Sequence, residues 1–300
     1  MTSSRSDLLV ITHDYRSIPI PETLEALRDH AGATIVALNR RQVRWLPWSL
    51  RRLQAHRYRK VLLDLPFKHV HGAGSCLSRL DNLYIYEEDA CQDGLSRSKW
   101  YGQFSDFYRQ VAPLRVIATG HITAQRLQRK GVPAVFVPKG YATRNTGLLD
   151  LERDIEVGFI GRVRSEVYRE RAELLEGAEA RLGCRLLRTE NDDEYRRTLN
   201  RIRFFFSADK GLGEYMAKNF EAMACGCILV AYRQGEGEEQ ALGLRDGENC
   251  LLYQSLDEAA EKLERIRQDP AALRTLQTCS LTLIKQFSHY EMGKRIAAYL

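Results

Sequence analysis

No apolar run in this 300-residue chain approaches the roughly eighteen residues that a membrane-spanning helix needs, so any membrane contact is expected from one side only. There are seven cysteines, but no paired Cys-x-x-Cys and no N-terminal signal segment. That combination points to a reducing, cytoplasmic setting rather than a disulfide framework. Cys225 and Cys227 flank one glycine and read as small core residues rather than a metal pair. His69 and His71 stand two apart, yet no third ligand is evident, so a structural or surface role outweighs a metal site. No metal and no cofactor are expected. No repeat or low-complexity tract interrupts the chain. What remains is an ordinary globular composition with a net charge of +6, which suits an anionic partner: a phosphorylated substrate, a membrane surface or nucleic acid.

The length favours two domains, each with a sizeable core. Short apolar runs recur: 8–12, 33–38, 61–65, 82–86, 115–118 and 134–137, with helices over 21–30 and 123–130. Unbroken apolar strands alternating with helices predict a parallel sheet covered on both faces. A polar stretch, 142–154, reads as a linker. The rhythm then restarts with strands at 155–160, 184–188, 203–207, 227–232 and 249–253. Helices are expected over 166–181, 192–201 and 256–267, and one long helix over 271–300. The expected fold is therefore α/β with two doubly wound, Rossmann-like domains facing a cleft. The expected boundaries are 1–143 for the first domain, 154–285 for the second, and 286–300 for a helix packing back on the first.

One segment, Asn39–Lys60, holds eight Arg or Lys residues, two tryptophans and no acid. Arg44, Trp45, Trp48 and Arg51 are its candidate acceptor or membrane contacts, since indoles sit at headgroup level while arginines meet anionic lipid. A solvated basic helix with Trp tucked into the core competes with this reading, and nucleic acid is the least favoured partner.

Ligands of open parallel sheets lie outside the carboxyl ends of the strands. Glu87, Glu88 and Asp89 follow one such strand, while His121 and His13 follow two others. Glu88, Asp89 and His121 are the candidate catalytic groups. In the second half, Gly161-Arg162 ends the first strand, making Arg162 and Arg169 candidate diphosphate contacts, while Arg164 and Arg171 read as solvated. Further on, a loop with Lys210, Gly211, Gly213 and Glu214 leads into a helix that carries Lys218, Asn219 and Glu221. Backbone N–H groups and the helix dipole there can face an anion. Lys218 adds a full charge, and Glu221 can accept hydrogen bonds from vicinal hydroxyls.

These residues form a known pattern. Lys218-Asn219-Phe220-Glu221-Ala222-Met223-Ala224-Cys225-Gly226, followed by Ile228-Leu229-Val230, resembles the K-x-x-E-A-M-A-C-G segment of GT-B fold glycosyltransferases of the group 1 type. Phe220 before the Glu is similar to the CgeB-like branch. Phe159-Ile160-Gly161-Arg162, Val137-Pro138-Lys139-Gly140 and Gly247-Glu248-Asn249-Cys250-Leu251 look like three further family segments, in order.

The resemblance implies sugar transfer from a nucleoside diphosphate sugar to a glycan, lipid-linked or cell-surface polysaccharide precursor. It also implies no metal requirement, and retention at the anomeric carbon. Glu221 would bind the donor ribose, and Arg162 with Lys218 the diphosphate. The family's first Glu falls on Gly213, with Glu214 one residue off, so backbone groups from Lys210 to Glu214 would take over part of the sugar contact. The family's Lys after the Gly-Arg turn is replaced by Arg164, Arg169 or Arg171. A non-catalytic sugar-nucleotide module and a sugar-nucleotide 2-epimerase stay open.

Overall fold

The computed structural model describes residues 7–15, 20–163 and 169–300, apart from the side chain of Arg169. The chain divides into two compact units, Met1–Pro138 with His289–Leu300, and Lys139–Ser288. In the first unit, β1 (Leu8–His13), β2 (Thr34–Leu38), β3 (Lys60–Leu63), β4 (Leu83–Glu87), β5 (Arg115–Ala118) and β6 (Ala134–Phe136) form one sheet. In the second unit, β7 (Ile155–Ile160), β8 (Arg185–Leu187), β9 (Ile202–Phe206), β10 (Ile228–Tyr232) and β11 (Leu251–Tyr253) form another. Their orders are β2-β1-β3-β4-β5-β6 and β11-β10-β9-β7-β8, and every pairing is parallel. Every residue of β1 is buried, as burial on both faces of a parallel sheet requires. The strand order turns back on itself between β1 and β3 in one sheet and between β7 and β9 in the other. Those are the two topological switch points, where chains leaving in opposite directions open a crevice.

Two expectations fail. The single long helix over 271–300 is two helices, Pro270–Ile284 and His289–Tyr299, parted at Ser288, whose extended ψ of 151° no helix accommodates. Ser288 instead pairs in parallel with Tyr141. The polar stretch read as a linker is strapped to the second unit. Buried Asn200 accepts from the Leu149 amide at 2.7 Å and donates to the Gly147 carbonyl at 3.0 Å. Polar composition looks like a linker in sequence because its backbone partners lie far along the chain.

The basic segment forms two short helices, Arg40–Arg44 and Leu46–Leu53. The first starts on a capping box: Asn39 Oδ1 accepts from the Gln42 amide and Gln42 Oε1 from the Asn39 amide, each at 2.9 Å. Leu46, Ser49 and Leu50 turn inward, leaving Trp45 at 62% and Trp48 at 53% exposure, with Arg44 and Arg51 also exposed. The tryptophans are not in the core. The guanidinium of Arg52 lies 5.2 Å over the Trp48 ring. Among the described residues no helix is long and apolar enough to cross a membrane.

The last helix belongs to the first unit and packs on the helix Pro21–Ala31. Thr23 Oγ1 donates to the His289 carbonyl at 2.9 Å, and the Tyr290 hydroxyl donates to Asp29 at 2.9 Å. Gly293 makes the close approach possible, because a Cβ there would stand 2.5 Å from the Thr23 carbonyl oxygen and 2.6 Å from the Ala26 Cβ. Gly293→Ala is expected to cost about 1–3 kcal/mol of stability by overpacking. Urea denaturation of the variant checks this, and an unchanged midpoint contradicts the packing account.

Candidate active site

In the second unit, the candidate groups gather at the β7/β9 switch point. The helix Ala217–Ala224 directs Lys218 back toward the end of β7, where its Nζ donates to the Ile160 carbonyl at 2.9 Å and lies 5.0 Å over the Phe159 ring. Gly161 follows with φ +142°, and a Cβ at this position would meet Lys218 Nζ at 2.4 Å. Only glycine fits both the backbone and the approaching ammonium. Burial lowers the Lys218 pKa, while Asp209 and Glu221 pull it back up and Arg171 adds to the lowering. No carboxylate of a described residue stands within ion-pair reach of Lys218. Arg162 is exposed and makes no ion pair with a described residue. Arg164 and the Arg169 side chain lie outside the described residues.

One turn beyond Lys218, Glu221 accepts a hydrogen bond from the Tyr195 hydroxyl at 2.5 Å. Tyr195 comes from the helix Asp192–Arg201, N-capped by Asn191. Burial raises the Glu221 pKa, and the Tyr195 bond together with the Lys218 charge opposes that rise. Tyr195 therefore helps to keep the carboxylate ionised and fixes one of its oxygens. Nothing in the sequence motif points to it.

The loop between β9 and this helix is organised by Asp209, which the sequence reading passed over. Asp209 Oδ2 accepts from the Met216 amide at 2.9 Å and from Asn219 Nδ2 at 2.6 Å. Asp209 Oδ1 faces the Arg171 guanidinium at 3.5 Å, and Arg171 Nε donates to the Ala208 carbonyl at 3.4 Å. Arg171 is thus a paired, largely buried residue rather than a solvated one, because its helix packs over the start of this loop. Asp209 stands eight residues before Ala217, where the helix begins, too far for a local capping signal in the sequence.

Asn219 is buried, and its amide nitrogen is committed to Asp209 and to the Met216 carbonyl at 3.0 Å. The Gly213 amide donates to Gln234 Oε1 at 3.1 Å, while Gln234 Nε2 donates to the Asp209 carbonyl at 3.0 Å. Glu214 is fully buried and accepts from Lys139 Nζ at 2.7 Å. Lys210 is exposed, with its ammonium 5.5 Å over the Tyr232 ring. The site therefore brings Gly161, Lys218 and Glu221 together, while Asn219, Gly213 and Glu214 are engaged in holding the loop.

In the first unit, the catalytic candidates stand at the ends of β4 and β5. Glu88 Oε1 accepts from the Tyr86 hydroxyl at 3.4 Å, and the Thr119 hydroxyl donates to the Glu88 carbonyl at 3.4 Å. Asp89 is exposed, and its amide donates to Glu87 at 2.8 Å. His121 Nε2 lies 2.8 Å from Gln125 Nε2, with its ring edge-on to Phe136. Glu87 itself is buried against the Tyr108 hydroxyl. Burial, and then the Asp89 charge, push its pKa up to about 8. Among the described residues no three His, Cys, Asp or Glu side chains gather as metal ligands.

Residues 159–300 match a family model described as glycosyl transferase-like. Among solved structures, Anabaena HepE in complex with UDP-glucose is 12% identical with a TM-score of 0.68, over 97% of this chain and 98% of that one. A glycosyltransferase from Rickettsia africae is 10% identical with a TM-score of 0.62, over 97% of each chain. WaaG, a glycosyltransferase involved in lipopolysaccharide biosynthesis, is 10% identical with a TM-score of 0.57, over 97% of this chain and 99% of that one. At such identities the likeness shows the fold, the two-unit α/β GT-B architecture. No curated protein sequence matches the chain.

Tyr195→Phe removes the hydrogen bond that opposes the upward shift of Glu221. The Glu221 pKa is then expected to climb further, so that protonation on acidification sets in at a higher pH than in the parent protein. Carbon NMR titration of the glutamate carboxyls, assigned with Glu221→Gln, reads this directly. Superimposable titration curves would show that Tyr195 does not hold the carboxylate.

Proposed function

We propose that this glycosyltransferase moves a sugar from a nucleoside diphosphate sugar, held by the second unit, to a hydroxyl of a glycan, lipid-linked or cell-surface polysaccharide precursor. Lys218 carries the reading. It is a half-buried ammonium seated on the Ile160 carbonyl at a switch point, with no carboxylate partner among the described residues. A desolvated cation without a counter-ion is stabilised when an anion arrives. A diphosphate supplies that anion, and the adjoining ribose supplies the vicinal hydroxyls that Glu221 can accept from. Since HepE is solved with UDP and with UDP-glucose, UDP-sugars are the donors to test first.

In the transfer, the bond between the anomeric carbon and a diphosphate oxygen breaks, a bond to the acceptor oxygen forms, and the acceptor gives up its proton. Negative charge grows on the departing diphosphate. Lys218 and Arg162 would stabilise that charge, so the reaction is proposed to be metal-independent. Retention is favoured by the resemblance to group 1 enzymes; Glu88, Asp89 and His121 are the base candidates under inversion. Glu214 favours a second reading, binding without turnover, because Lys139 already neutralises the carboxylate nearest the family's first Glu position.

The protein is further proposed to work in the cytoplasm on the inner face of a membrane. Two largely exposed tryptophans on a segment of eight cations and no acid support an anionic lipid surface as the partner.

Glu221→Ala is expected to weaken donor use by roughly 10- to 100-fold in kcat/KM, the loss of charge-assisted hydrogen bonds. Lys218→Met is expected to lower kcat by about 10²–10³-fold. Both are read by UDP-sugar hydrolysis and transfer, and unchanged rates in both variants would remove the assignment. Donor binding with neither hydrolysis nor transfer in the parent protein would favour the binding module, and a C2-isomerised donor formed without acceptor would favour the epimerase. For the membrane, co-sedimentation with phosphatidylglycerol vesicles is expected, and Trp45→Ala/Trp48→Ala should release the protein. A parent protein that ignores such vesicles refutes the peripheral assignment.

A further inference from the structure

One carboxyl group of the first unit is buried directly beside the catalytic candidates and has no role in the transfer chemistry. Glu87, the last residue of β4, is 4% exposed, whereas Glu88 is half-buried and Asp89 is exposed. Glu87 Oε1 accepts from the Asp89 amide at 2.8 Å, and its Oε2 is hydrogen-bonded to the Tyr108 hydroxyl. Tyr108 lies on the helix Gln103–Val111 and is itself buried, its ring 5.6 Å from that of Phe107 and 6.3 Å from that of Phe67. The carboxyl group therefore joins the backbone of an exposed turn to an aromatic core.

The charges that act on Glu87 are those of Asp89 and Glu88, both of its own sign. A carboxylate withdrawn from water under those conditions is costly, and such a group keeps its proton instead. Burial first, and then Asp89, hold Glu87 at about 8, against the downward pull of the Tyr108 and Asp89 hydrogen bonds. As the neutral acid, Glu87 still accepts from the Asp89 amide through Oε1, while Oε2 gives its proton to the phenol oxygen. On ionisation the phenol becomes the donor. A buried negative charge then stands beside Glu88 and Asp89.

The surrounding elements supply nothing that offsets this charge. Asp93, which acts on Tyr108 from the short helix Ala90–Gly94, is neutralised by Lys130 at 2.8 Å. Past the end of β5, Thr119 offers an uncharged hydroxyl to the Glu88 carbonyl.

We propose that Glu87 is a positioning residue for the transfer reaction, fixing the turn that bears Glu88 and Asp89 through the Asp89 amide and the Tyr108 hydroxyl, and that its ionisation at alkaline pH releases that turn. This deepens the glycosyl-transfer reading and rests on it for the reaction, though not for the titration of the turn. Because the folded chain binds this proton more tightly than the unfolded chain, the stability it contributes is full below its ordinary value of 4.5 and is lost as pH rises through about 8.

Amide NMR of the full chain, labelled with ¹⁵N-aspartate and assigned with Asp89→Asn, reads the switch without substrate. The Asp89 amide is expected to titrate with a midpoint near 8 in the parent protein and to stay flat in Glu87→Gln. Hydrolysis of UDP-glucose should fall along the same alkaline limb. Glu87→Ala should lower kcat about tenfold at neutral pH with little change in KM, and Glu87→Gln, which keeps an oxygen for the Asp89 amide, should restore it and flatten the limb. An Asp89 amide that does not titrate in the parent, or that titrates equally in Glu87→Gln, overturns the proposal. So does a Glu87→Gln rate profile that follows the parent's alkaline limb, a comparison that holds even where Glu87→Ala fails to fold. If the parent turns over no UDP-sugar, the glycosyl-transfer reading fails separately, and the amide titration still decides whether Glu87 holds and releases the turn.

Discussion

Asp209 sits buried just past β9, and three pieces of chain around the candidate site are tied to it. One carboxylate oxygen holds the start of the helix that carries Lys218 and Glu221, and the other faces Arg171 on the helix that follows the Gly-Arg turn. Its backbone carbonyl receives Gln234 from beyond β10. The loops that leave β9 and β10 and the helix Arg169–Leu182 thereby meet at one point, and a site made of loops acquires the rigidity of the sheet. A flexible loop would have to lose entropy on each binding event, whereas this one is ordered beforehand by charge-assisted hydrogen bonds.

Against that frame, two lysines of the second unit have opposite fates. Lys139 is neutralised by Glu214 in a buried pair, where removing either partner would strand a charge. Lys218 has a carbonyl oxygen and an aromatic face but no carboxylate among the described residues. The first arrangement is complete without a ligand. The second would be stabilised by an anion, and that difference is what assigns Lys218 rather than Lys139 to the proposed donor site.

The strands were legible because a parallel sheet buries both faces, so β1 from Leu8 to Ile11 and β10 from Ile228 to Tyr232 appear as unbroken apolar runs. The Lys218–Glu221 helix was legible because its small residues and glycine turn are local. What was hidden depends on partners distant in the chain. Tyr195 meets Glu221 from another helix, Arg171 owes its burial to the loop after β9, and the stretch before β7 is held by Asn200. The helix over Arg40–Arg44 entered only through the general reading of a basic helix in this segment, without bounds. Its apolar face is a single valine, and only the Asn39/Gln42 capping pair announced it. The break at Ser288 had a local signal that was passed over, because Phe287, Ser288, His289 and Tyr290 are weak helix formers and Ser288 with Glu291 has the Ser-x-x-Glu spacing of a helix start; only the pairing of Ser288 with Tyr141 was hidden.

The return of His289–Tyr299 to the first unit bears on how the protein is made. During synthesis a domain ordinarily folds once its own residues have emerged. Here the helix Pro21–Ala31 emerges before the second unit, with its Thr23 and Ala26 face awaiting a helix translated after it. The second unit, continuous in the chain, is complete before that helix arrives. The first unit therefore finishes folding after the second, and its uncovered helix face is the surface a chaperone would meet on the ribosome.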